Sequence, residues 1–317
     1  MKHTFRSQRI KPAVRRVVSV VIPVFNGASH LVEAVCSIQK STYRKSEIIL
    51  IDDGSTDQSK MLCRMLARRY KNVRFYDFPR NTGLGRVLNF ALKKARGRYI
   101  CRLNQDDRML PHRVAAQVRY LDRHPEVVAV GSWIKLFDEK GKSQILKFIK
   151  DDAEIKRLWY IVSPFSDPSV MYRKDTALAA GGYVQAMWPA DDTHLWYRMG
   201  KRGKLANIQK PLVEVRWHPD AASVKHFKKL TQSTFAMHLW TDQYLAKAPW
   251  YVHVYWVVQY IAGMTLTPEA NWAIYRGIKR VIAFYEERVR SMRRTIKHVA
   301  MVAPVTNQPK RLSLSGA

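Results

Sequence analysis

The chain has 317 residues, 47% of them hydrophobic, which excludes a disordered polypeptide and leaves length for a full core. Its three cysteines, Cys36, Cys63 and Cys101, are widely spaced and form no CxxC pair, which argues against a disulfide framework or structural zinc site and fits a reducing, cytoplasmic compartment. A formal charge of +30 draws polyanions, whether nucleic acid, anionic lipid or phosphorylated substrate, but carries no information about fold.

Residues 1–16 form a basic arm without the apolar core of a signal peptide. Val17–Ile22 (VVSVVI) is β-branched and unalternating, as a parallel strand buried on both faces should be. Glu47–Ile51 repeats that character, and Val73–Tyr76, Tyr99–Leu103 and Val127–Gly131 are weaker versions. Between the second and third strands a helix is expected from Ser55 or Thr56, with Met61, Leu62, Met65 and Leu66 as its apolar stripe. Leu84–Lys94 and Arg113–Arg123 read as further helices, the latter placed just after Pro111. Strand and helix alternating at this spacing predict an α/β fold with a doubly wound, right-handed parallel sheet, whose ligands bind beyond the carboxyl ends of the strands.

The region 17–222 is expected to be the catalytic domain and 223–303 a helical C-terminal region, with a polar, disordered tail over 304–317. The longest apolar run, Trp250 to Met264, is interrupted by His253 and Gln259 and is short, so no transmembrane helix is expected. A stripe of Ile274, Ile278, Val281, Tyr285, Val289, Met292, Ile296 and Val299, punctuated by Arg and Lys, suits a basic amphipathic helix. Such a helix either packs on protein or lies peripherally on an anionic membrane, here the inner face.

Two strands run directly into carboxylate pairs: ILIDDGSTD places Asp52 and Asp53, and YICRLNQDD places Asp106 and Asp107, at one sheet edge. Adjacent carboxylates repel unless a cation or hydrogen-bond donors offset them, and a hard divalent ion shared with phosphate oxygens is the economical cation. Asp57, beside a helix start, reads as a cap. A third pair, Asp191 and Asp192, opens a helix, where acids are favoured for electrostatic reasons alone.

In order, VVSVVIPVFNGASHLVEAVCSI, EIILIDDGSTDQS, NTGLGRVLNFALKKARGRYICRLNQDD, PSVMYRKDTALAAGGY and DDTHLWYRM resemble the family-2 glycosyltransferases with the GT-A fold, from about Val17 to His218. That resemblance implies a Rossmann-like, mostly parallel sheet flanked by helices. It implies an inverting enzyme using a nucleotide-sugar donor, most often UDP-linked, with Mn²⁺ or Mg²⁺. Pro23, Val24, Phe25 and Asn26, with Asp52 and Asp53, are implied to line the base and ribose pocket. Asn81 and Gly83 belong to the loop that closes over the nucleotide, with Arg86 near its phosphates. Asn104-Gln105-Asp106 stands at the family's DxD position, where Asp106 and Asp107 would hold the metal. Arg216 and His218 occupy its late Arg-x-His, near the diphosphate and the metal. Asp192 is the expected base, with Asp191 as the second candidate, and Gly181-Gly182-Tyr183 with Trp188 the expected sugar and acceptor segment.

Asn104 replaces the first Asp of DxD, Asp191 the usual Glu, and Asp167 a frequent His, so metal and acceptor contacts are expected to differ in detail. Val213 stands where a processive QxxRW signature would carry Gln, so a single sugar should be transferred. The acceptor expected is a glycan or lipid-linked saccharide. The alternatives are a nucleic-acid-binding basic protein, a glycosyltransferase-like chain without activity, and a nucleotidyltransferase. Against the first stands the absence of any RRM, KH, homeodomain or zinc-finger signature, though the charge predicts salt-sensitive, nonspecific nucleic-acid retention.

Overall fold

A computed structural model describes residues 18–161, 163–218, 221–267 and 270. The basic arm, the stripe from Ile274 to Val299 and the tail lie outside the described residues. The chain divides into two compact units, 1–260 and 261–317.

The strands are β1 (Val18–Val24), β2 (Ser46–Asp53), β3 (Val73–Phe78), β4 (Tyr99–Arg102), β5 (Arg108–Met109), β6 (Val127–Phe137), β7 (Ser143–Leu146), β8 (Met171–Arg173) and β9 (Lys204–Arg216). The helices are α1 (Ala28–Gln39), α2 (Ser59–Arg69), α3 (Leu84–Lys94), α4 (Arg113–Arg123), α5 (Asp152–Leu158), α6 (Lys174–Ala179), α7 (Asp191–Gly200), α8 (Ala222–Lys225), α9 (Phe227–Tyr244) and α10 (Trp250–Thr265). The strands form one sheet in the order β3-β2-β1-β4-β8-β6-β9-β5, with β7 alongside β6. From β3 to β4 every pairing is parallel, as expected from the sequence. Beyond β4 the sheet is mixed: β8 runs antiparallel to β4 and β6, while β9 is parallel to β6.

The continuous apolar character of β1 and β2 follows from burial on two sides. Val18, Val20, Ile22 and Val24 face one core with α1, α2 and α4, whereas Val21 faces a second core with α3, α6 and α7. Ile48 and Leu50 divide from Ile49 and Ile51 in the same way. α3 and α4 have the expected bounds. α2 starts later than expected and buries Ser59, Cys63 and Leu66, leaving Met61 and Met65 about half exposed. A stripe of alternating pairs allows two helix faces, and packing against β2 and β3 selected the one carrying Cys63.

Because β1 lies between β2 and β4 and all three are parallel, their carboxyl ends emerge side by side. The chain leaves β1 toward α1 and β4 in the opposite direction across the sheet, which makes this edge the switch point of the topology. No described helix is long and apolar enough to cross a membrane.

Candidate active site

After β1, Asn26 adopts a positive φ of 48°, and its amide oxygen accepts from the Thr56 N–H at 2.9 Å. Asn and Asp tolerate this left-handed conformation better than bulkier residues. The next donors are also taken by α2's approach: Gly27 N–H donates to Ser59 Oγ (2.8 Å) and Ala28 N–H to Asp57 Oδ2 (3.1 Å). Asp57 also accepts from Ser59 N–H, so it caps the starts of both α1 and α2 and has a structural role. Gln105 reaches over from the β4 turn, accepting from Phe25 N–H (2.9 Å) and donating to Phe25 O (3.0 Å). A Cβ at residue 27 would come within 2.2 Å of the Gln105 side chain, which is why glycine stands there.

At the end of β2, Asp53 receives the NTGLG loop. Its Oδ1 accepts from Thr82 N–H and Oγ1, both at 2.8 Å, and its Oδ2 from Gly83 N–H at 2.9 Å. Asp53 therefore shapes the pocket by holding the loop that carries Asn81 and Gly83. Asp52 is fully buried; its Oδ2 accepts from Ser55 N–H, and its Oδ1 has no protein donor. Gly54 turns the chain at φ 72°, with the Arg80 backbone 2.4 Å from where a Cβ would sit. Gly54→Ala is expected to cost about 1–3 kcal/mol, read as a lower Tm, because both the φ and the space are unavailable to alanine. Arg86, in the first turn of α3, keeps an exposed side chain while its N–H donates to Gln185 Oε1 at 3.3 Å.

The β4 turn holds the second carboxylate pair. Asp107 is buried, and its oxygens accept from Arg216 N–H (2.9 Å) and Asn104 Nδ2 (3.1 Å). Burial and the neighbouring Asp106 charge push its carboxyl up to about 8. Contrary to the expectation from sequence, Asp107 is turned into the protein, where it braces the turn. Asp106 faces His218 instead, with Oδ2 and Nε2 at 2.9 Å. Arg216 sits over Phe137, its Cζ 4.7 Å from the ring centre, donates to the Asp106 carbonyl and pairs with Glu33, so its charge is already compensated. His30, whose ring is 6.1 Å from that of His218, is held below the usual histidine range by partial burial and the Arg216 guanidinium.

Among the described residues no three His, Cys, Asp or Glu side chains converge as a self-sufficient metal site. The carboxylate of Asp106 beside the imidazole of His218 nevertheless fits a divalent ion that arrives with a diphosphate, since such an ion takes few protein ligands and completes its sphere with phosphate and water oxygens.

Arg102 connects this turn to the third acidic pair. Its fully buried guanidinium donates to Asn104 Oδ1 (3.2 Å) and pairs with Asp167 at 2.7 Å. Asn104 can thus accept from Arg102 and donate to Asp107 at once, whereas an ionised aspartate could only accept. The field of Asp167 reaches both Asp191 and Asp192 at the N-terminus of α7. Burial first, and then Asp167, push Asp191 up to about 7; Asp192 is raised by the same causes and by Asp191. Asp191 is nearly inaccessible and its Oδ2 has no donor, while Asp192 is half-buried and accepts from Thr193 N–H. A continuous line of contacts and fields therefore runs from Asp107 through Asn104, Arg102 and Asp167 to the acid pair.

Tyr183 departs from its expected place. Its ring belongs to the core beside Trp196 and its hydroxyl meets that of Tyr172 at 3.2 Å, so it does not face an acceptor. Gly181 and Gly182 do form a turn with positive φ, held by Asn89 bonding both backbone groups of Tyr183 and by Arg198 at the Ala180 and Gly182 carbonyls. Trp188 lies against His226 and under Lys229. Sequence reasoning missed Arg102, Asn89, Glu33 and Gln185. For Arg102 a signal existed, since a charged residue inside the apolar run YICRL must find a buried counter-charge.

The model of the family described as glycosyl transferase family 2 matches residues 19–180, just over half of the chain. The chain belongs to glycosyl transferase family 2. Like its relatives there it is an enzyme, a glycosyltransferase. It is 30% identical over 204 residues to the amylovoran biosynthesis glycosyltransferase AmsE of Erwinia amylovora, covering 62% of this chain and 75% of that protein. It is 29% identical over 194 residues to UDP-Gal:alpha-D-GlcNAc-diphosphoundecaprenol beta-1,3-galactosyltransferase of Escherichia coli, covering 61% and 70%. Among solved structures, S. aureus TarS 1-349 in complex with UDP-GlcNAc superposes with a TM-score of 0.61 at 16% identity, over 81% of this chain and 75% of that one. This neighbour shares the GT-A fold, a curled, mostly parallel α/β sheet flanked by helices. The family match ends before α7, so it covers the β1, β2 and β4 turns and Asp167 but not the Asp191–Asp192 pair.

Proposed function

We propose that this glycosyltransferase moves one sugar, with inversion, from a UDP-sugar to a hydroxyl of a glycan or lipid-linked saccharide, with the help of a divalent metal. The observation that carries this reading is the convergence of three carboxylate groups: Asp52–Asp53 and Asp106–Asp107 at neighbouring strand ends, and Asp191–Asp192 linked to them through Arg102 and Asp167. The names of the E. coli and S. aureus proteins, with UDP-Gal and UDP-GlcNAc, support the choice of nucleotide, and the diphosphoundecaprenol in the former supports a lipid-linked acceptor.

In this reading the Asp52 side, closed by the loop on Asp53, receives the nucleoside, and Asn104 with Asp106 orients the ribose and diphosphate. A Mn²⁺ or Mg²⁺ ion held by Asp106 and His218 supplies, when bound, stabilisation of charge on the departing diphosphate. Arg86 adds an uncommitted positive charge at the start of α3. Asp192, the more accessible of its pair, takes the proton of the acceptor hydroxyl, and Asp191 lies behind it.

Calorimetric titration with UDP tests the donor half. Binding should weaken about ten-fold or more when Mn²⁺ is replaced by EDTA, and Asp106→Ala should remove the metal dependence. Equal affinity for UDP with Mn²⁺ and with EDTA would sink the metal-dependent reading.

A further inference from the structure

α9 and α10 form an antiparallel helical hairpin, joined through rings of Phe235 and Tyr260 (4.8 Å), His238 stacked on Trp256 (4.9 Å), and Asp242 with His253 (3.3 Å). Its inner side is conventional core. Its outer side is not: Trp250 is 77% exposed and Tyr251 60%, and Val254, Val257 and Val258 on the same helical face are each about half exposed. Tyr244, at the end of α9, adds a further exposed ring at the tip. Trp250 to Leu266 contains no Asp, Glu, Lys or Arg. A contiguous apolar helix face of this kind is costly in water and marks a contact surface.

Charge selects among the occupants. Lys228, Lys229 and Lys247 are exposed on the same hairpin, with Lys225 at the end of α8 just before it, whereas the hairpin's one acid, Asp242, is engaged by Lys247 and His253. A second copy would bring another +30 against the first. Nucleic acid would satisfy the lysines but offers nothing to a row of valines. An anionic lipid surface matches both halves: headgroups for the lysines, the interfacial zone for Trp250, Tyr251 and Tyr244, and acyl carbon for the valines.

We propose that the α9–α10 hairpin is a membrane-docking element that lays the outer face of α10 into the interface of an anionic bilayer. The placement of the hairpin makes this useful. Ser233 Oγ donates to the Trp188 carbonyl at 2.8 Å, Lys229 covers the Trp188 ring, and Trp240 packs on His194 of α7. The docking element is thus braced directly against the loop and helix that carry Asp191 and Asp192. That an acceptor in the membrane is thereby delivered to Asp192 rests on the transferase reading. The docking surface itself does not.

The test is co-sedimentation of the full chain with phosphatidylglycerol vesicles and with phosphatidylcholine vesicles at low and high salt. The triple variant Trp250→Ala, Val254→Ser, Val258→Ser is compared, and its unchanged circular dichroism and Tm verify folding. Binding to the anionic vesicles is expected, weaker on zwitterionic ones and at high salt, with a loss of about ten-fold or more in the variant. Hydrogen exchange over 244–258 should slow only when vesicles are present. No binding to anionic vesicles at low salt would overturn the proposal, as would equal binding of wild type and variant. A concentration-dependent dimer that the variant abolishes would assign the face to self-association instead. UDP binding is measured alongside, so loss of the donor reading and loss of the docking reading are separate results.

Discussion

Asp192→Asn is expected to lower kcat by about 10²–10⁴-fold while leaving UDP affinity within a few-fold of wild type. The reasoning is geometric and electrostatic. Asparagine preserves the shape and the bond from Thr193 N–H but cannot accept a proton from an attacking hydroxyl. Asp191→Asn should produce a smaller loss, because its side chain is nearly inaccessible and acts on its neighbour. If Asp191→Asn were the more damaging change, the roles of the two would be reversed.

The same pair predicts a pH dependence. Burial and the charge of Asp167 hold Asp191 near 7 and raise Asp192, so the base is protonated in mild acid. The value of kcat/KM should therefore still be climbing with pH above the ordinary carboxylate range instead of levelling off within it. A profile that is flat from about pH 5 to pH 8 would remove the acid pair from the mechanism. Stability moves the opposite way. The folded state holds the Asp191 proton more tightly than the unfolded chain does, so its contribution to folding is complete below the ordinary carboxylate range. That contribution is lost as pH rises through about 7.

Arg102→Met should be the most destabilising single change at the site. Removing one member of a buried ion pair costs about 3–5 kcal/mol, because the other charge is left without compensation. Here the loss also strips Asn104 of its donor and so loosens the turn carrying Asp106. A Tm lower by roughly 10 °C is expected in a thermal melt. Asp167→Asn offers a gentler comparison, since the amide can still accept from Arg102. Asp167→Asn should also move the acid limb of the pH–rate profile. Without Asp167's charge both Asp191 and Asp192 ionise more easily, so the limb shifts down. A pair that served only packing would lower stability in both variants and leave the limb in place.

Much of this architecture was legible before any coordinates. VVSVVI and EIILI could be read as parallel strands because burial on both faces requires unbroken apolar runs, and EIILI runs directly into a carboxylate pair. α3 and α4 were legible to the residue because their apolar spacing permits only one buried face. α2 was not: its paired apolar positions allow two faces, and Cys63 rather than Met61 went inward. The mixed half of the sheet was also hidden, because β5 and β8 are two and three residues long and leave no periodicity.

The sequence by itself determined the parallel half of the fold, its family, and which residues stand at the carboxyl ends of β1, β2 and β4, because strand burial and the order of motifs are local properties. Only the tertiary structure decided how those residues divide their work. Asp107 and Asp106 are chemically identical and adjacent, yet one is turned to the Arg216 amide and the other to His218 across more than a hundred residues of chain. Arg102 and Asp167, 65 residues apart, likewise acquire meaning only where β4 and β8 are paired. A side chain's role at such a site depends on which donors and charges surround it, and those are supplied by distant segments that no local pattern can name.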